Sequence, residues 1–282
     1  MVPELRPRGI GEMLDLAVAL YRARFTRLIG LAAFVVVPVQ VLSTIVLLSA
    51  QPDSLQVNIA GTTSPSYDNN ALVQLAATFL VLFVGFASNA FVIGVCARPA
   101  ADAYTGHEST WKRGTIGGRG AGAVVACASL VAVCEMLGVA LCGVGLLAAA
   151  TFFAVAIPAL VLERISPGAA LGRSSSLVKS HFFRVLGLIL SAQLLTTVVN
   201  LGIAAGIGLL SIRSSTSANV LAQGIAGTIA ALLVTPLLAT VAVVCYFDAR
   251  IRNEGFDVQL LLQRNDARHA AARAAVRPAI TR

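Results

Sequence analysis

The sequence predicts an all-α fold: a polytopic membrane helix bundle of six transmembrane helices, with amphipathic inner-surface helices preceding spans 1 and 5. Three observations carry that prediction. Of the 282 residues, 57% are hydrophobic and only 12% charged, against about 25% charged in an ordinary soluble domain. The apolar residues gather in runs of about twenty or more, the length needed to cross a hydrocarbon core of roughly 30 Å at 1.5 Å per residue. The basic residues also sort to one side. With the runs taken as spans, twenty of the twenty-one Lys and Arg fall in segments 1–27, 98–119 and 163–184 and in the tail from 248, and only Arg213 lies opposite. Such asymmetry marks cytoplasmic connections, so a plasma-membrane protein with N- and C-termini in the cytoplasm is expected.

The elements follow in chain order. Residues 1–9 carry two prolines and should be extended. Ile10–Arg24 reads as an amphipathic helix, with Ile10, Met13, Leu14, Ala17, Leu20 and Tyr21 on one face and Glu12, Asp15, Ala19 and Arg22 opposite. Arg22, Arg24 and Arg27 close it at the membrane boundary, where they would meet the anionic inner leaflet. Span 1 is about 28–48 and contains Pro38. Segment 49–70 has no Lys or Arg and is an outside loop. Span 2 is about 71–96, and 98–119, with the only Trp, is an inside loop. The run 121–162 holds one charge, Glu135, and is too long for one crossing. Gly138, Gly143 and Gly145 around Cys142 offer a turn, which divides it into spans 3 (121–141) and 4 (144–162). The first apolar run starts too deep for a cleaved signal, so span 1 should be a retained anchor.

Ser166 followed by Pro167 is a helix-start signal, because Ser caps and Pro suits the first turn. Ala170, Leu171, Ser174, Leu177 and Val178 then recur at helical spacing, and Lys179, His181 and Arg184 form a basic knot before span 5 (183–210). An outside loop leads to span 6 (220–247). That helix should run on to Asn253 or Glu254, since nothing earlier breaks it, placing Arg250 and Arg252 at headgroup level. Gly255 is the expected C′ residue. Residues 1–264 form one membrane-embedded domain, and the basic tail 265–282 lacks apolar partners and should be disordered. Phe25–Leu31 parallels Phe182–Leu188, and Leu14, Leu20 and Arg22 match Leu171, Leu177 and Lys179 at the same offset. A parallel internal repeat would produce this, as would the shared demands of a surface helix feeding a span.

No catalytic constellation is found, although an intramembrane enzyme stays as a third class. Ser176-Leu-Val-Lys179 matches S-x-x-K, but lies on a surface helix without the companion S-D-N or K-T-G elements. The Gly-rich 114–122 follows no strand and reads as a flexible connection. His107, His181 and His269 are isolated from one another. The five cysteines sit in or beside apolar runs with no metal spacing and no even framework. Neither cofactor nor metal is expected. Nucleic acid is excluded because the basic residues lie in short connections without interleaved aromatics. Gly202-Ile-Ala-Ala-Gly206 is a G-x-x-x-G that predicts close contact with another helix, of this chain or of a second copy in a homo-oligomer. Glu135 is the one ionisable residue inside a span and hence a functional candidate. Asn200, Gln223 and Arg213 fall at the same outer depth, so the four could build a polar outer pocket.

Three segments, RPRGIGEMLDLAVALYRARFTRLIG, AIPALVLERISPGAALGRSSSLVKSHFFRVLGLIL and YFDARIRNEGFDVQLLL, together resemble an uncharacterised group of actinobacterial six-span membrane proteins. They are also similar to the membrane domain attached to some glycerophosphodiester phosphodiesterases. The resemblance covers nearly the whole chain and implies the fold and membrane location. It carries no catalytic residues, because the hydrolase activity of that family belongs to a separate soluble domain. Cys142-Gly143-Val144-Gly145 departs from the Pro-Gly turn that relatives tend to show, which implies a looser hairpin. The leading function expected is a non-enzymatic scaffold or partner. Its inner basic residues Arg22, Arg24, Arg27, Lys179, Arg184, Arg250 and Arg252 would meet anionic lipid or a cytoplasmic protein. The alternative is a transporter or lipid-handling protein with a polar pocket around Glu135.

Overall fold

Helix boundaries fall largely where capping and turn residues dictate. The computed structural model describes residues 9–49, 69–105, 118–140, 144–210 and 216–255. Its described residues form helices α1 (Ile10–Ala23), α2 (Phe25–Ser49), α3 (Asn69–Thr105), α4 (Gly118–Ala140), α5 (Val144–Phe153), α6 (Ala156–Glu163), α7 (Pro167–Lys179), α8 (Phe182–Leu210) and α9 (Thr216–Glu254), with no strand among them. Among the described residues, six stretches are long and apolar enough to cross a membrane: Phe25–Val46, Leu75–Thr105, Gly120–Val139, Val144–Glu163, Phe182–Ile207 and Leu221–Glu254. The outward faces agree with that. Phe34 and Phe183 are each 84% exposed, and leaving such a side chain in water forgoes roughly 2–3 kcal/mol. Lipid removes that penalty. The architecture is the expected all-α membrane bundle. The expectations for Trp111, for the Cys142–Gly143 turn and for the tail beyond Gly255 lie outside the described residues.

The two amphipathic helices form as their sequences require. The Glu12 carboxylate accepts from the Gly9 N–H at 3.3 Å, closing the first turn of α1. Met13, Ala17 and Leu20 make its buried stripe. That stripe rests on α9 and α8 rather than on lipid alone, and the Tyr21 hydroxyl donates to the Leu233 carbonyl of α9 at 3.0 Å. In α7 the Ser166 hydroxyl accepts from the Ala169 N–H at 3.4 Å, and Pro167 takes the first turn. Its buried residues are Ala170, Ser174, Leu177 and Val178. The two units superpose in sequence: α2 and α8 begin at Phe25 and Phe182, 182 − 25 = 157 residues apart. At that same offset buried Met13, Ala17, Leu20 and Leu28 match buried Ala170, Ser174, Leu177 and Val185. The internal similarity therefore extends to which positions are buried.

Two expectations need correction. Helix α3 does not stop near Cys96 but runs through Pro99 to Thr105. Proline removes a backbone donor and crowds the carbonyl four residues back, and here packing offsets that cost. Ala97, Ala100, Ala101 and Tyr104 are all buried, and Tyr104 stacks on Phe247 of α9 with ring centroids 4.5 Å apart. Span 4 falls where expected, at Val144–Glu163, with a break inside it, since α5 ends at Phe153 and α6 begins at Ala156. Pro158 cannot donate to the Ala154 carbonyl four residues back, and at the same break the Phe152 carbonyl accepts from the Ser174 hydroxyl of α7 at 2.6 Å. Finally, Gly202 and Gly206 make no close helix contact among the described residues, because a Cβ added at either would meet nothing there within 4 Å.

At the other end of α9 the helix runs to Glu254, and Gly255 has φ +60° with its N–H on the Ile251 carbonyl at 3.1 Å. Among the described residues no atom lies within 4 Å of a Cβ built there, and the cost of a substitution follows from the positive φ. Gly255→Val is expected to cost about 1 kcal/mol and Gly255→Asn much less. Hydrogen exchange at the last turn of α9 would measure the difference, and equal protection in both variants would count against it.

Candidate functional site

Two clusters of polar groups stand out against the apolar bundle. The first surrounds Glu135. It lies in α4 one turn before Gly138, where a Cβ would come within 2.6 Å of the Gly145 backbone. Helices α4 and α5 thus touch main chain to main chain, which is what small residues at a helix seam permit. That contact sets Glu135 opposite the first turns of α5, at the wall of a cavity of about 260 Å³. Asn89 of α3 and Gln193 of α8 line the same cavity, and Phe86, Leu147, Phe153 and Leu238 are among the apolar side chains of its wall. The Asn89 Oδ1 is buried and has no hydrogen-bond partner among the described residues. Buried polar atoms are normally satisfied, so this acceptor stands out.

The structure brings Glu135 together with a different set of polar groups from the one the sequence proposed. Asn200 and Gln223 are both exposed and do not line the cavity. The Asn200 Nδ2 donates to the Thr196 carbonyl of its own helix at 2.8 Å. Asn200 follows Gln193 by two helical turns, about 10 Å along α8. Arg213 lies outside the described residues. Asn89 and Gln193 were missed, though each is a lone amide within an apolar run (FASNAFV and LSAQLLT), the same signal that singled out Glu135.

The second cluster ties α6, α7 and α9 together at the charged end of the bundle. Arg173 of α7 reaches Glu163 of α6 at 3.1 Å and Glu254 of α9. The Tyr246 hydroxyl donates to Glu163 at 2.8 Å, and Arg250 donates to Glu254 at 3.0 Å and to the Tyr246 oxygen at 3.3 Å. Beside this, Asp248 is 6% exposed and accepts from Arg252 at 2.8 Å, with Arg184 Nε at 3.6 Å. Asn253 accepts from the Ser180 hydroxyl and donates to the Leu177 carbonyl, both at 2.8 Å. Burial would lower the pKa of Arg173, but hydrogen bonds to Glu254 and Glu163 and their charges raise it above the ordinary value. Its charge is therefore fixed.

Of the seven basic residues expected to meet lipid or a partner, Arg184, Arg250 and Arg252 thus face carboxylates of their own chain. Arg22 and Lys179 are exposed, and Arg24 and Arg27 are partly so. Among the described residues no group of three His, Cys, Asp or Glu side chains is arranged to hold a metal ion. A small cavity beside Arg184 and Asp248 shares Leu188 and Cys245 with the larger one. The wall of the Glu135 cavity is thus also the wall of that ion pair. Comparison with protein-family models, curated proteins and solved structures returned no match.

Proposed function

We infer that this multi-pass membrane protein handles a small amphiphilic molecule in the cavity between α3, α4, α5, α6, α8 and α9, as a transporter or lipid-handling protein does. The observation that supports it most is convergence: Glu135, Asn89 and Gln193, from three separate helices, line one cavity of otherwise largely apolar wall. An apolar pocket with a few placed polar groups is the usual form of a small-molecule site, and an ionisable group inside a span is costly enough to need a use. A scaffold would instead need the inner basic residues as a free recognition surface, and Arg184, Arg250 and Arg252 are engaged within the chain. On this reading the charged end faces the cytoplasm, with Arg22, Arg24, Arg27 and Lys179 at the anionic headgroups.

A photoactivatable diazirine derivative of decanol, offered to the full chain in lipid nanodiscs, tests it. Saturable labelling is expected at cavity residues such as Leu147 and Phe153. Ala150→Trp fills the space between them and should weaken it about tenfold, or about 1.4 kcal/mol. Labelling confined to outward residues such as Leu194 and Leu201 would overturn the reading.

A further inference from the structure

We propose that the molecule taken by this cavity is a lipophilic ammonium, an amine-bearing amphiphile, in preference to an anionic or an uncharged one. The inference rests on the cavity being a binding site, and it concerns what the site selects. No Lys, Arg or His is among the lining residues, and Glu135 is their one carboxylic acid. Glu135 makes no hydrogen bond or ion pair with another described residue. The buried Asn89 Oδ1 is an acceptor without a donor, and Gln193 supplies a further amide oxygen. Each amide also carries two N–H donors, so neutral donors and acceptors are both present, and what the lining lacks is a positive charge to set against its one carboxylic acid.

A primary ammonium carries that charge, with three N–H donors and no acceptor. Glu135, Asn89 and Gln193 provide one acceptor each from three helices, and the hydrogen bond to a carboxylate is charge-assisted. The rings of Phe86 and Phe153 line the same cavity, and aromatic faces attract cations, more strongly when desolvated. The hydrocarbon tail suits the Leu and Ile walls. An anionic headgroup would meet Glu135 with no lining cation to offset it. Arg184, in the small cavity beyond the shared wall, faces Asp248 at 3.6 Å. An uncharged alcohol would fill the space but leave the acid without a counter-charge.

Diazirine probes of one chain length with ammonium, hydroxyl or carboxylate heads, applied to the full chain in nanodiscs, decide the matter. The ammonium probe is expected to saturate labelling at Leu147 and Phe153 at a concentration about tenfold or more below the hydroxyl probe, the weight of one charge-assisted hydrogen bond. The carboxylate probe should label least. Glu135→Gln keeps the shape and should erase the ammonium advantage while hydroxyl labelling persists, which also shows that the variant is folded. Asn89→Leu should reduce the advantage in part. Equal labelling by ammonium and hydroxyl probes, or an advantage that survives Glu135→Gln, would overturn the cation preference and leave the cavity reading standing. Absence of cavity labelling by every probe would remove both.

Discussion

Arg173→Ala is expected to loosen the charged end of the bundle by about 2–3 kcal/mol. Removing one partner of a fully buried ion pair costs about 3–5 kcal/mol because the other charge is left uncompensated. Here the side chains of Arg173, Glu163 and Glu254 are 27%, 20% and 25% exposed, and solvent screening lowers that figure. Each carboxylate also keeps one partner, Tyr246 for Glu163 and Arg250 for Glu254. The loss should be local. Hydrogen exchange across 156–180 and 246–255 should rise, and trypsin should gain access to Arg250 and Arg252. Arg173→Lys should recover only part, since an ammonium cannot fork between two carboxylates as a guanidinium does. Adding Glu163→Gln to Arg173→Ala should cost less than the sum of the single changes. Unchanged exchange in Arg173→Ala would mean that the network is ornamental and that apolar packing alone holds α7.

That network shows where sequence reading reaches its limit. Element existence was legible throughout, because apolar run length and helix-start residues are local. Ser166 and Pro167 mark the start of α7, and Gly255 marks the end of α9, as their side chains require. The ends of α3 and the middle of span 4 were not legible, because Pro99 and Pro158 are read correctly only once their surroundings are known. Pro99 is tolerated inside a helix anchored by Tyr104 on Phe247, while Pro158 accompanies a break whose Phe152 carbonyl is taken by Ser174. The same limit applies to charges. Arg250 and Arg252 look like headgroup anchors in sequence, since their carboxylate partners Glu254 and Asp248 could equally have faced solvent. Only the docking of α7 shows that Arg173 and Glu163 complete the set.

The candidate site divides in the same way. Glu135 was identifiable because a charge inside an apolar run is costly wherever the run packs. Its partners were not, because they depend on depth. Asn200 and Gln193 lie on about the same face of α8, and the choice between them turns on how far the α4–α5 hairpin reaches alongside it. The Gly138–Gly145 contact fixes that reach, and glycine spacing alone did not specify it.

Gly138→Val is expected to be the most damaging single change in the bundle, at about 3 kcal/mol or more. Overpacking a core with extra methyl groups usually costs about 1–3 kcal/mol, because neighbouring side chains give way. Here the first atom added would lie 2.6 Å from the Gly145 carbonyl carbon and the Leu146 nitrogen and 2.7 Å from the Gly145 oxygen, and backbone has no rotamer into which to retreat. The hairpin must splay, which carries Glu135 away from α5 and widens the cavity on the side of Leu147. Thermal unfolding in detergent should fall by several degrees or more, and spin-label distances between α4 and α5 should lengthen. Labelling of Leu147 by the ammonium probe should fall with them. Gly122→Val on the same helix is the matched control, since a Cβ there meets nothing within 4 Å, and it should be close to neutral, with Gly122→Ala stabilising by up to about 1 kcal/mol. If Gly138→Val and Gly122→Val unfold together, the main-chain contact does not hold the hairpin and the placement of Glu135 must come from another source.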